Sequence, residues 1–253
     1  MADIVVKDIL EAGIHYGHRT SRWNPKMRPY IYGRRNLIHI IDVKETIRGL
    51  MRAKRYLKQV AANGSLVLFV GTKRQAVGPI AEVSELCGMP FVNERWLGGT
   101  LTNFSTIKKS IKRLKLLEKE GSNLYNNLTK KETQTINREK VKLADQHRGI
   151  KDMRRLPDAV LVVDAQYENT AIREAKRLDI PVIAIVDSNT DPEKVDYPIP
   201  ANDDSIRTIQ LIVAVLADAV NEAKGIAAQK ENDVHEDAVD AVSYTHLTLP
   251  TKA

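Results

Sequence analysis

The sequence predicts an α/β fold: a parallel sheet covered on both faces and interrupted by an inserted pair of helices. Three observations carry this. Five short apolar runs rich in β-branched residues read as buried strands, at 37–41 (LIHII), 66–70 (LVLFV), 90–92, 160–163 (VLVV) and 182–186 (VIAIV). Segments of helical spacing lie between most of them. Strands that are apolar throughout, rather than alternating, indicate burial on both faces and therefore parallel pairing through helical crossovers. Third, residues 101–155 break the rhythm with a helical pattern too polar for a core and too long for a loop.

Taken in order, residues 12–41 contain no acidic side chain, and their prolines and the Asn24-Pro25 step keep them from being helical. Residues 43–61 place Val43, Ile47, Leu50, Met51, Leu57 and Val60 largely on one stripe. Val77, Ile80, Ala81 and Leu86 recur through 73–87. In 101–155, Phe104, Ile107, Ile111 and Leu114 follow the spacing of a coiled-coil seam, with Leu117 taking over at its end. The turn residues GSNLYNN (121–127) and a second helix from about Thr129 to Arg148 complete an antiparallel hairpin. A helix over 168–178 stops before Asp179-Ile180-Pro181. The last long helix is expected from Asp203 to Ala223, capped by Asn202 or Asp203.

Residues 227–240 are acidic, small and polar, a composition that favours disorder. The closing VSYTHLTLPTKA holds no acid, matches neither that tail nor the domain, and reads as an atypical stretch of the kind a cloning scar leaves. The expected organisation is one α/β domain over 1–227, with a basic N-terminal extension (1–36) and the hairpin insertion (101–155). A flexible acidic tail follows from 228 to 253.

The 253-residue chain carries a formal charge of +7, which hides an asymmetry. Residues 1–155 hold 31 basic and 14 acidic side chains (+17), and residues 156–253 hold 8 and 18 (−10). Such a split suggests a polyanion partner for one part of the molecule. The single cysteine, Cys87, excludes a disulfide framework and a cysteine-based zinc cluster, and fits a reducing compartment. The start lacks the layout of a signal peptide, and no apolar run approaches the ~20 residues of a membrane span. A cytoplasmic protein is expected.

The first concentrated signal is HYGHRTSRWNPKMRPYIYGRR, where Arg19, Arg22, Lys26, Arg28, Arg34 and Arg35 are interleaved with Tyr16, Trp23, Tyr30 and Tyr32. Guanidinium groups offer bidentate donors to phosphate, and aromatic planes stack on bases or wedge a loop in place. The second acid-free window, Arg95 to Leu117, continues into the first hairpin helix. There Lys108, Lys112 and Lys115, flanked by Lys109 and Arg113, form a cationic stripe opposite the apolar seam. RNA-binding residues are therefore expected at Arg19, Arg22, Trp23, Lys26, Arg28, Arg34, Arg35, Arg95, Lys108, Lys109, Lys112 and Arg113. A weaker signal is GTKRQ (71–75), whose amides and Lys73/Arg74 suit phosphate at a helix start.

Asp164, Asp187, Asp191, Asp196, Asp203 and Asp204, with His18, offer ligands to a divalent ion. Their setting, DSNTDPEKVDYPIPANDD, reads instead as turn and cap chemistry, so no metal and no cofactor are expected. Phosphate-loop, dinucleotide, zinc-protease, nucleophile-elbow and CxxC motifs are all absent from the sequence. An enzyme using Lys73, Asp164 and Asp187 at the strand ends on a phosphorylated metabolite is the rival reading. Attachment to anionic membranes is a third, weakened because the basic helix commits its apolar face to the seam.

The strings ILEAGIHYGHRTSRWNPKMRPYIYG (9–33), IHIIDVKET (38–46), FVGTKRQA (69–76) and FVNERWLGGTLTNFSTI (91–107) resemble the bacterial small-subunit ribosomal protein S2 (uS2) family. So do the segments at 149–192 and 195–212, and the resemblance spans about residues 4 to 225. It implies a flavodoxin-like five-stranded parallel sheet with an inserted helical hairpin. It implies a non-catalytic constituent of the small ribosomal subunit that binds ribosomal RNA, contacts neighbouring ribosomal proteins and helps recruit ribosomal protein S1. Neither a membrane nor a small-molecule substrate belongs to that role.

Overall fold

The computed structural model describes residues 6–119 and 129–243, without the side chains of Val6 and of residues 226–243. A short helix α1 (Val6–Glu11) leads into strands β1 (Tyr16–Arg19), β2 (Ile31–Arg35) and β3 (Ile38–Ile41). Helix α2 (Val43–Ala62), strand β4 (Val67–Val70), helix α3 (Val77–Cys87) and strand β5 (Phe91–Val92) follow. Helices α4 (Phe104–Glu118) and α5 (Lys130–His147) separate β5 from β6 (Ala159–Val162). Helix α6 (Asn169–Arg177), strands β7 (Val182–Val186) and β8 (Tyr197–Pro200), and helix α7 (Ile206–Ser243) complete the chain.

Strands β5-β4-β6-β7-β8 form a five-stranded sheet in which every pairing is parallel. Their apolar runs are explained by burial on both faces. Val67 and Phe69 join a core with Leu50, Leu57, Ile80, Ile209 and Leu216 from α2, α3 and α7. Their neighbours Leu68 and Val70 point the other way, into a core with Met27, Ile107, Ile150 and Ile172. The chain leaves β4 for β5 and returns to β6 on β4's other side, which opens a crevice at the carboxyl ends of β4 and β6.

The membership of the sheet differs from expectation in one strand. The run at 37–41 forms β3, but it pairs antiparallel with β1 and β2 in a separate three-stranded sheet of order β1-β3-β2. The fifth parallel strand is β8, whose sequence YPIP hides its nature because proline cannot donate to a ladder. An edge strand tolerates this: Ala201 donates inward to the Val186 carbonyl, so the missing N–H groups of Pro198 and Pro200 fall on the outer side. Helix α2 covers that side. The Thr46 hydroxyl donates to the Pro200 carbonyl at 2.6 Å, and Gly49 packs where a Cβ would lie 2.7 Å from the Pro198 carbonyl. At the opposite edge, Gly149 sits so close to the Phe91 carbonyl that any side chain there would overlap it.

The basic segment 12–41 is thus an ordered antiparallel sheet with two 3₁₀ turns rather than an open loop. Within α2, Met51 is exposed, and within α3 Leu86 is exposed while Val83 and Cys87 take the buried positions. Burial pushes the Cys87 thiol up to about 11, consistent with a small apolar residue. The last helix begins at Ile206 instead of Asp203, with the Ser205 hydroxyl accepting from the Thr208 amide. It then continues to Ser243, taking in the 227–240 stretch expected to be disordered. Residues 227–231 (AAQKE) are strong helix formers, and no glycine or proline follows Gly225 within the helix, so helix propensity prevails over low hydrophobicity.

Helix α4 buries Ile107, Ile111, Leu114 and Leu117, while α5 buries only His147. The two helices meet through Arg113 with Glu139 and through the Ser110 hydroxyl with His147 Nε2 at 2.8 Å. A capping box at Thr129 and Glu132 starts α5. The turn expected at 121–127 lies outside the described residues. So do the last ten residues of the closing stretch.

Candidate nucleic-acid interface

Of the residues expected to meet RNA, Arg19, Arg22, Arg28, Arg34, Arg35, Arg95, Lys108, Lys109 and Lys112 are exposed and make no ion pair among the described residues. The small sheet arranges several of them. Ile38 of β3 pairs with Arg19 of β1 on one side and Arg35 of β2 on the other, so the two arginines flank one residue of the central strand. Arg19, Arg22 and Ile38 also line a single surface pocket with Ser21. Asn36 and Leu37 make the turn between β2 and β3 with φ of 49° and 61°, left-handed values that a leucine adopts only at a cost. Tyr32, at 82% exposure, stands at the other end of β2 from this turn.

Three expected residues are committed elsewhere. Lys26 bonds Asp191 at 3.1 Å and also Glu193, and these partners hold its pKa above the ordinary lysine value. Arg113 grips both oxygens of Glu139, at 3.2 and 3.3 Å. Trp23 is packed against the core, with its ring 5.3 Å from that of His39, so it anchors the segment.

Arg95 is separated from the α4 stripe in its surroundings: it shares a groove with Gln134, Asn137, Arg138, Val141 and Lys142. Sequence reading did not single out these α5 residues, because Glu132, Glu139 and Asp145 interrupt their basic run. On α4, Lys108 Nζ lies 4.7 Å from the centre of the Phe104 ring, and Lys109 and Lys112 project into solvent.

The loop that launches α4 is held by a residue the sequence did not single out. The Glu174 carboxylate on α6 accepts from Trp96 Nε1 (3.0 Å), from the amides of Gly99 (2.8 Å), Leu101 (3.0 Å) and Thr102 (3.2 Å), and from the Thr102 hydroxyl (3.3 Å). Gly99, at φ 90°, supplies the turn that aims these amides at one carboxylate. Burial opposes ionisation of Glu174, but the donors outweigh it and hold the carboxyl below its ordinary value.

A second polar cluster fills the crevice at the carboxyl ends of the strands. Lys73 bonds Asp164 Oδ2 (3.0 Å), Asp203 Oδ1 (2.8 Å) and Asp204 Oδ1 (2.8 Å). Burial lowers the Lys73 pKa, yet these carboxylates hold it above the ordinary lysine value. Asp203 is fully buried, and burial with the neighbouring Asp164 and Asp187 pushes it up to about 7. Of the residues named for the rival enzyme reading, Lys73 and Asp164 are bonded to each other and Asp187 to His18 Nδ1 at 2.9 Å, so Lys73 is spent inside the molecule and is not presented to a phosphate. Asp191 and Asp196 serve the backbone, accepting from the Glu193 and Val182 amides, as cap chemistry requires. His18, Asp203 and Asp204 are the described group with donor atoms close enough to share a metal ion.

The family described as Ribosomal protein S2 matches residues 9–223. Proteins described as small ribosomal subunit protein uS2 are similar along nearly the whole chain. That of Rhodopirellula baltica is 54% identical over 227 residues, covering 89% of this chain and 87% of its own. That of Koribacter versatilis is 50% identical, covering 90% and 76%, and that of Endomicrobium trichonymphae is 48% identical, covering 95% and 99%. Fold and comparisons together define the class as a structural, non-enzymatic protein of the ribosome. More particularly, the chain belongs to the ribosomal protein S2 family.

Proposed function

We propose that this chain is a constituent of the small ribosomal subunit that binds ribosomal RNA through its N-terminal sheet and the exposed face of α4. The observation that carries this reading is the set of arginines and lysines in the two acid-free windows that lack any carboxylate partner among the described residues. Unpaired, exposed cations displace counterions from a phosphate backbone, and they register on shape more than on sequence. Its place in the cell is then the cytoplasmic ribosome. No helix among the described residues is long and apolar enough to cross a membrane. Crosslinking the chain to RNA inside intact subunits is expected to map to Arg19–Arg35 and to Lys108–Lys112. Crosslinks confined to residues 156–225 would overturn the assignment.

The finer part of the proposal is that the chain supports docking of ribosomal protein S1. Not all of the acidic half is free for a partner: Asp164, Asp187, Asp203, Glu168 and Glu174 are buried. A separate candidate surface is the groove between α1 and α7, lined by Asp8, Glu11, Arg207, Gln210, Leu211 and Ala214, with Leu10 and Ile206 on the same two helices about half exposed. A surface of mixed charge with exposed apolar side chains suits a protein more than RNA. Ile206→Asp is expected to lower the S1 content of small subunits several-fold without changing occupancy by this chain, measured by quantitative mass spectrometry. Unchanged S1 content would remove this groove from the docking surface.

A further inference from the structure

We propose that Leu37, at the tip of the β2–β3 hairpin, packs against the face of an unpaired RNA base while the arginines beside it hold phosphates. The inference deepens the RNA-binding reading of the N-terminal sheet and rests on it. The hairpin closes through two residues, Asn36 and Leu37, because Arg35 pairs directly with Ile38. Both carry positive φ, 49° and 61°, as the tightest hairpin turns require. Asparagine is an ordinary occupant of the first position, and glycine is the ordinary occupant of the second. A leucine there sets its Cβ against the following carbonyl, at a cost that glycine avoids. The other non-glycine residues with positive φ among those described are Asp164 and Asp179, whose short polar side chains tolerate it. Leu37 is the exception.

Packing within the chain does not offset this cost. The side chain is 73% exposed and belongs neither to the two apolar cores nor to the partly buried residues packed on them. Leu86 is as exposed, but it lies in α3 on helical backbone, where an exposed leucine is unremarked. The conformation of Leu37 is also fixed. Its carbonyl accepts from the Thr20 amide at 2.9 Å, and Ile38 next to it pairs with Arg19 on one side and Arg35 on the other. A strained residue held in place by its surroundings, with its side chain outside the core, points to a contact made beyond the chain. The neighbours select the partner. Residues 12–41 hold no acidic side chain, and Arg19, Arg34 and Arg35 beside the tip are exposed and make no ion pair among the described residues. An apolar protein surface would desolvate these guanidinium groups without charge to meet them. RNA offers phosphates to the arginines and an apolar base face to the leucine. Bases within a continuous helix are stacked on one another, so the base that Leu37 meets is unpaired or bulged.

The test adds the full chain to small subunits that lack it. Leu37→Gly relieves the turn and is expected to raise the unfolding temperature of the free chain by about 2–4 °C. Leu37→Asn, which also suits the turn, should not lower it. Both variants are expected to bind the subunits roughly 5- to 20-fold more weakly than the parent. The salt dependence should match the parent's, because no charge is lost. Arg34→Gln combined with Arg35→Gln reads the underlying RNA contact by itself and should lower the slope of log affinity against log salt by about 2. A lowered slope there, with both Leu37 variants binding as the parent does, would overturn the proposal and leave the RNA reading standing. An unchanged slope would remove the RNA reading of the sheet and the proposal with it. A lower unfolding temperature in Leu37→Gly would assign the leucine to the fold and overturn the proposal. A photoreactive diazirine analogue of leucine placed at position 37 is expected to crosslink to RNA in the filled subunit. Crosslinks to protein alone would overturn the choice of partner.

Discussion

A chain carrying Lys108→Gln, Lys109→Gln and Lys112→Gln is expected to enter small subunits poorly and to lose much of its salt sensitivity. These lysines have no carboxylate partner among the described residues, so their charge is available to phosphate. Three lost phosphate contacts lower the slope of log affinity against log salt by about 2–3. At low salt this amounts to a loss of roughly 10- to 50-fold in affinity. Arg113 is left in place because its guanidinium joins α4 to Glu139 of α5, and removing it would confuse binding with folding. Occupancy of reconstituted subunits, followed across a salt series, reads the effect. Full occupancy with an unchanged slope would show that the α4 face does not meet RNA.

The second large effect is expected at Glu174. Its replacement by alanine strands the Trp96 indole and the Gly99, Leu101 and Thr102 amides next to a void, in a region where Thr100 and Leu101 are buried. Leaving one buried and three part-buried donors unmatched is expected to cost about 3–5 kcal/mol. For a chain of this size that corresponds to a fall in unfolding temperature of roughly 6–20 °C. Glu174→Gln keeps an acceptor oxygen and should lose less than half as much. The pH dependence separates charge from shape. Because the folded carboxyl titrates below its ordinary value, its stabilisation is complete above the unfolded value of about 4.3 and is lost as pH falls through the folded value. The gap between parent and Glu174→Gln should therefore close on acidification below about pH 4.3. A gap that stays constant to pH 3 would place the effect in packing alone.

The legibility of this molecule follows the range of each interaction. Buried parallel strands announce themselves locally, since both faces demand apolar side chains, and β4, β6 and β7 are plain in VLFV, AVLV and VIAIV. β8 is not, because proline is read against a strand unless the edge position is already known. Residues 12–41 show their charge in sequence but not their sheet, which depends on β3 pairing with two partners on either side. The same limit governs the site. Exposure of Arg19 or Lys112 follows from local charge, whereas the commitment of Lys26 to Asp191, 165 positions away, does not. Glu174 was invisible for that reason, since it sits in an ordinary amphipathic helix and meets its donors more than 70 positions upstream.

The two margins of the parallel sheet bear on the life of the chain before it reaches RNA. A protein made for assembly spends time alone, when an open strand edge would recruit a second copy into a growing aggregate. Here the β8 side lacks N–H groups at Pro198 and Pro200 and has its Pro200 carbonyl already bonded to Thr46. The β5 side is two residues long and blocked by Gly149 against Phe91. Among the described residues, the parallel sheet thus offers no open ladder on which another chain could continue.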